Sequence, residues 1–141
     1  MATKPIPEGY HTLTLYLAID GAAEAIEFYK QAFDAEEVYR MPAEDGERLM
    51  HAHLKIGDAE FFLVDDFPEY CGGASSDPLK LGGCSVVLHR YVLDADTAIA
   101  QAAAAGATVK MPATDMFWGD RYGQVVDPFG HTWSFAHKLA K

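Results

Sequence analysis

The chain has 141 residues, half of them hydrophobic, and its 21 acidic against 11 basic side chains give a formal charge of −10. That length suits one compact core, no stretch approaches the roughly 18 apolar residues of a membrane span, and the acid excess argues against nucleic acid, whose phosphates need Lys and Arg. Residues 1–70 carry fifteen acids and five bases whereas residues 71–141 carry six of each, a balance that serves solubility or attracts a cationic small molecule.

Met1–Tyr10 holds two prolines and no apolar core, so it does not read as a signal peptide, and a soluble cytoplasmic protein is expected. His11–Ile19 then alternates, with Leu13, Leu15, Leu17 and Ile19 on one face and Thr12, Thr14, Tyr16 and Ala18 on the other, the pattern of a half-buried strand. Asp20 is placed to cap a helix running to about Phe33, whose Ala22, Ala25, Ile26, Tyr29 and Phe33 share one face while Glu24, Glu27 and Lys30 face water. The aliphatic face of the strand should pack on this helix, so its polar face looks towards a cavity.

Glu37–Met41 is a short strand stopped by Pro42, and Arg48–Ile56 a longer one with Met50, Ala52, Leu54 and Ile56 on one side and His51, His53 and Lys55 on the other. A turn at Gly57-Asp58 leads into Ala59–Asp65, completing a βαβββ unit over residues 11–65. Residues 66–83 have no periodicity and are rich in Gly, Ser and Pro, as a connector would be. Cys71 and Cys84 lie in or beside it and read as free thiols, a loop disulfide being the alternative.

The second unit, residues 84–137, begins with Cys84–Val92, where Val86, Leu88 and Val92 oppose Ser85, Val87, His89 and Tyr91. Asp94 or Asp96 caps an alanine-rich helix ending at Gly106. Strands follow at Ala107–Met111, Tyr122–Val126 and Thr132–Ala136, the last two joined by the turn Asp127-Pro128-Phe129-Gly130. His131 should cap backbone groups of that turn, and His137 and Lys138 read as a solvated tail.

The two units also match as sequences. Gly46 and Gly57 lie 11 positions apart, as do Gly119 and Gly130, at a lag of 73 residues; Glu47-Arg48 then falls on Asp120-Arg121, and Ala25-Ile26 on Ala98-Ile99. Between these, Arg40–Asp45 matches Lys110–Asp115 at a lag of 70. A register lost and recovered points to tandem duplication of one supersecondary unit, hence an α+β fold of paired βαβββ modules within a single domain over residues 1–141.

Several motifs carry a family resemblance: the helix Ala25-Ile26-Glu27-Phe28-Tyr29, the run Ala103-Ala104-Ala105-Gly106-Ala107 before a strand, and Asp127-Pro128-Phe129-Gly130-His131 before the last strand. Over essentially its whole length the chain resembles the vicinal oxygen chelate superfamily, the glyoxalase/bleomycin-resistance/dioxygenase fold. Phe117-Trp118-Gly119-Asp120-Arg121-Tyr122-Gly123, followed by Thr132-Trp133-Ser134, looks more narrowly like the PhnB-like branch.

The resemblance implies cupped mixed sheets and homodimers, with cavities in some members built from both chains. In metal-dependent members it implies ligands on the first and last strands of each unit. Counting from Ile19, Val92, Gly57 and Gly130 puts those positions at Thr14, Val87, Phe61 and Ser134, none of which is a good donor for a transition metal. No cofactor is therefore expected, a divalent metal held by other ligands being the alternative; His51, His53 and His89 are the imidazoles available, or else hydrogen-bonding side chains on a half-exposed sheet.

A ligand site should draw on Tyr16, Phe61, Tyr91, Trp118 and Tyr122 as an aromatic lining, with His51, His53 and His89 and the loop pair Asp120 and Arg121, the alternatives being core and turn packing for the rings and a structural salt bridge at the loop base for the pair. Two functions follow. One is a binding protein like the bleomycin-resistance members, with a small molecule as partner; the other is a lyase, isomerase or transferase acting on a small oxygenated substrate. A methyltransferase is disfavoured because no glycine-rich nucleotide loop occurs.

Overall fold

The computed structural model describes residues 3–140; Met1, Ala2 and Lys141, the ends of the expected domain and of the Met1–Tyr10 segment, lie outside the described residues. The first half folds as β1 (Leu15–Ile19), α1 (Ala22–Phe33), β2 (Glu36–Pro42), β3 (Leu49–Ile56) and β4 (Ala59–Asp65). The second half repeats it as β5 (Val87–Tyr91), α3 (Ala95–Ala105), β6 (Thr108–Asp115), β7 (Asp120–Val126) and β8 (Thr132–Lys138). Between them lie a 3-10 turn at Pro68–Tyr70 and the short α2 (Pro78–Leu81).

Each half forms its own four-stranded sheet, ordered β1-β4-β3-β2 and β5-β8-β7-β6. In both, the first strand runs parallel to the last and the remaining pairs are antiparallel.

Several boundaries differ from the sequence reading for identifiable reasons. β1 starts at Leu15 rather than His11, and Leu13 is left exposed. Asp20 does not cap α1. Gly21 occupies the N-cap at φ 97°, where L side chains are strained, and the carboxylate of Asp65, at the far end of β4, accepts from the amides of Gly21 (2.9 Å) and Ala22 (3.0 Å) and from Leu49 (2.7 Å). β6 continues past Met111 to Asp115, with irregular register around Pro112, which has no amide to give the ladder.

β8 runs on through His137 and Lys138, so these are not a solvated tail. His137 Nδ1 accepts from the Ala95 amide at the start of α3 (2.9 Å). The expected cap at Asp94 is observed, accepting from Asp96 N.

A single apolar core joins the halves. Leu17, Ile19, Ala52, Leu54, Phe61 and Leu63 from the first sheet pack with Ile26, Tyr29 and Phe33 of α1, and these meet Leu88, Val125, Trp133 and Phe135 of the second sheet. The Phe33 and Trp133 rings are 4.4 Å apart, and Tyr29 stacks on Phe33 at 5.6 Å. Arg90 lies on this same side, its guanidinium over Phe33 (5.4 Å) and Phe135 (5.6 Å), and burial lowers its pKa against a smaller opposing effect of Asp34.

The Asp127–His131 turn is the polar clamp on that core. Buried Asp127 accepts from Tyr29 Oη (2.7 Å) and Trp133 Nε1 (2.9 Å) through one oxygen and from the amides of Phe129 (2.9 Å) and His131 (3.0 Å) through the other. Burial and then the Asp127 charge push the Tyr29 phenol well above its ordinary range, so it stays a donor. Gly130 turns at φ 94° with its Cα so close to Pro78 that a Cβ there would stand 2.8 Å from the Pro78 Cβ, which docks α2 on the turn.

Candidate functional site

Side chains alternate across a strand, so each sheet has a face turned to the helices and the core and a face turned away from them. Leu17, Leu63, Ala52 and Leu54 point into the core, which puts Tyr16, Phe62, His51 and His53 on the outer face of the first sheet.

There the Phe62 ring is the hub, 4.7 Å from His51, 5.2 Å from His53 and 5.5 Å from Tyr16. Tyr16 Oη and His51 Nδ1 share a hydrogen bond at 3.2 Å, and Tyr10 Oη and His53 Nδ1 another at 3.1 Å. Tyr39 of β2 extends the cluster, 6.3 Å from His51.

His53 is only 7% exposed, and its Nε2 faces Glu60 Oε1 at 3.4 Å without completing a hydrogen bond. Burial, and then the neighbouring His53, lower the pKa of His51.

The outer face of the second sheet carries a matching group. His89 Nδ1 and the buried Ser134 Oγ are 2.7 Å apart, and the imidazole stacks on Tyr122 at 5.9 Å with an interplanar angle of 20°. Tyr91 meets His89 edge-on at 4.8 Å, and Trp118 meets Tyr122 at 5.8 Å. Gln124 Nε2 donates to Tyr122 Oη (2.8 Å) and Trp118 Nε1 to Asp120 Oδ2 (3.0 Å), while Lys138 Nζ lies 3.1 Å from Asp120 Oδ1. These rings are held by named partners yet open to solvent: Trp118 is 47%, Tyr16 55% and Tyr91 68% exposed.

Eight of the ten expected ligand residues therefore fall into two aromatic groups, Tyr16, His51 and His53 on one sheet and His89, Tyr91, Trp118, Asp120 and Tyr122 on the other. Phe61 and Arg121 are placed elsewhere. Phe61 lies on the core face, packed against Tyr29 and Trp133 and 3% exposed.

Arg121 points towards α3, where Nη2 donates to Asp96 (3.0 Å) and Nη1 to Asp115 (2.8 Å). Its ion pair at the loop base is thus with those two carboxylates and not with Asp120. The grooves at the sheet junction take in Tyr16 and, separately, Phe61, His89 and Tyr91; His51, Trp118 and Tyr122 lie on open sheet faces instead, and His53 is buried outside both grooves.

The count to the metal positions also shifts. Val87 and Ser134 lie on the outer face, but Phe61 does not, because the pair that closes the β3–β4 hairpin, Ile56 with Ala59, is on the core side, whereas the pair that closes β7–β8, Val126 with Thr132, is on the outer side. An equal count from Gly57 and Gly130 then ends on opposite faces, since one residue of slip inverts a strand.

The outer-face residues flanking Phe61 are Glu60 and Phe62. Sequence reasoning passed over Glu60, although its alternation with Phe62 was visible. Among the described residues no three His, Cys, Asp or Glu side chains converge as a metal would need.

Comparison with known proteins agrees with the duplicated fold. An uncharacterized protein of Mycobacterium bovis is 50% identical over 127 residues, covering 90% of this chain and 83% of its own. The crystal structure of an Arabidopsis thaliana gene product aligns with a TM-score of 0.70 at 28% identity, over 91% of this chain and 99% of that one. The PhnB protein of Bacillus cereus shares the fold with a TM-score of 0.61 at 19% identity, over 92% of this chain and 100% of that one. Residues 10–135 match the sequence profile of the Glyoxalase/Bleomycin resistance protein/Dioxygenase superfamily, and with paired βαβββ units in place the chain belongs to that superfamily.

Proposed function

We propose that this protein is a PhnB-like binding member of the superfamily, taking up a flat, neutral or cationic small molecule between aromatic sheet faces without a three-donor metal centre. The observation that carries this is the pair of outer faces on which Tyr16, His51 and Phe62, and His89, Tyr122 and Trp118, are fixed by hydrogen bonds and ring contacts while remaining accessible. Preset rings bind planar ligands with little loss of side-chain freedom, and indole and phenol faces attract cations. The acidic first half adds a favourable field for such a ligand.

Open faces of this kind are also the ones that soluble monomers seldom leave uncovered. A second copy seated on them gives the homodimer and turns two shallow faces into an enclosed site. The test is a titration of Trp118 fluorescence with N-methylacridinium. Saturable quenching that weakens at least tenfold, about 1.4 kcal/mol, in Tyr122→Ala supports the reading; linear quenching, equal in both proteins, contradicts it.

One observation favours a second reading, an enzyme with an unusual metal centre: the buried His53 Nε2 faces Glu60 Oε1 at 3.4 Å with no hydrogen bond. Two donors would need a third from another copy. Elemental analysis of purified protein before and after EDTA separates the readings. A stoichiometric transition metal whose removal follows loss of His53 supports the enzyme; metal-free protein that binds the acridinium supports the binder.

A further inference from the structure

The end of the connector brings a thiol against an imidazole. Cys84 is exposed, and its Sγ lies 3.9 Å from His131 Nδ1 and 3.7 Å from the Val86 carbonyl oxygen. His131 itself is 6% exposed.

Its other ring nitrogen, Nε2, is 3.0 Å from the Ala18 carbonyl oxygen. A carbonyl can only accept, so Nε2 carries the hydrogen and the neutral ring leaves its lone pair on Nδ1, facing the sulfur. The ring cannot readily turn away, because it is buried and its Nε2 is held by the Ala18 carbonyl, while the His131 amide bond to Asp127 Oδ1 and the Asp127 amide bond to the His131 carbonyl (2.8 Å) fix the main chain that carries it. Hydrogen bonding to β1 thus sets the tautomer, and the turn sets the direction.

Both residues line a groove of about 770 Å³ between β1 and the connector. Leu17, Pro78, Leu81, Val86 and Leu88 supply its aliphatic walls, and among the described residues no Asp, Glu, Lys or Arg lines it. Such a groove admits a neutral, largely apolar molecule. Cys71, the other free thiol, is equally exposed but has no imidazole against it.

We propose that Cys84 and His131 form a nucleophilic pair that adds to a neutral α,β-unsaturated carbonyl compound seated in this groove. The thiol proton passes to His131 Nδ1. The thiolate sulfur bonds to the β-carbon as the carbon–carbon π pair shifts towards the carbonyl, and the imidazolium then returns the proton to the α-carbon. One S–H bond and one C=C π bond are exchanged for one C–S and one C–H bond, with no oxidant and no leaving group. The addition takes none of its chemistry from the aromatic faces, although Tyr16 of the first face also lines the groove.

N-ethylmaleimide, itself such a carbonyl compound, is the probe, and site-resolved mass spectrometry at pH 7 gives the labelling rates of both cysteines in one sample. Removal of the thiol proton by His131 as the maleimide is attacked should speed Cys84 on the order of tenfold or more over Cys71. His131→Gln keeps an amide donor within reach of the Ala18 carbonyl and removes the base. Cys84 should then slow to the Cys71 rate while Cys71 is unchanged. Equal rates for the two thiols in the unmodified protein overturn the proposal, and so does an undiminished Cys84 rate in a folded His131→Gln variant. If that variant fails to show a cooperative thermal transition, the ratio in the unmodified protein decides alone.

Discussion

Asp127 illustrates how one side chain serves both halves: its two oxygens accept four hydrogen bonds, from Tyr29, Trp133, Phe129 and His131. Asp127→Ala leaves a phenol and an indole N–H buried without partners, and each such loss costs about 1–3 kcal/mol. Urea unfolding should show a loss of about 3 kcal/mol or more with an unchanged m value.

His51 offers a pH test at the same scale. Its folded pKa lies below the ordinary imidazole value because of burial and then His53. It costs nothing above pH of about 6.5, and it destabilises progressively as the pH falls through that value towards the folded one, where the unfolded chain binds the proton more readily. An NMR titration should find the His51 midpoint below 6.5; a midpoint above it contradicts the assignment. Glu60 and Asp65 show what sequence alone hides: each acts on a residue that pairing and turn length, not sequence spacing, bring near.

Among the elements, strand faces were the most legible part of the sequence. Period-2 alternation in β3 assigned His51 and His53 to one side and Ala52 and Leu54 to the other, and the strand pairing agrees, although His53 is itself buried and Met50, expected beside Ala52, is exposed. Phase between the repeats was not legible, since Phe61 and Ser134 match at a lag of 73 yet face opposite ways. Hydrophobicity could not warn of this, because a phenylalanine on either face of β4 finds apolar neighbours. For Arg121 the salt bridge at the loop base was legible but not its partners, because Asp96 is brought beside it by the packing of α3, and Asp115 by the β6–β7 pairing.

Packing of α3 on β7 makes its own prediction. A Cβ at Gly123 would lie 2.5 Å from Ile99 Cδ1, 2.7 Å from the Met111 carbonyl oxygen and 2.9 Å from the Ala113 nitrogen. Ile99 can rotate but the β6 backbone cannot, so Gly123→Ala should cost about 2 kcal/mol or more by overpacking. Differential scanning calorimetry would show the corresponding fall in Tm.

For the whole molecule, duplication explains why two similar aromatic faces exist and why one core, built round α1, holds them apart from each other's rings. Exposed Tyr16, Tyr39, Tyr91 and Trp118 ask for a covering surface, which an identical copy in the proposed homodimer would supply by two-fold symmetry. On the proposed function, each ligand site would combine the first-sheet face of one copy with the second-sheet face of the other.

Mixing of two defective proteins tests this most directly. Phe62→Ala disables the first face and Tyr122→Ala the second, so each variant alone should bind N-methylacridinium poorly. Mixed dimers reassembled from the two should regain one full-affinity site per dimer, because one of their two sites joins both unaltered faces. Tight binding by neither variant alone nor by the mixture, in a sample whose unmodified parent binds tightly, would place both faces of a site in a single chain and contradict the account.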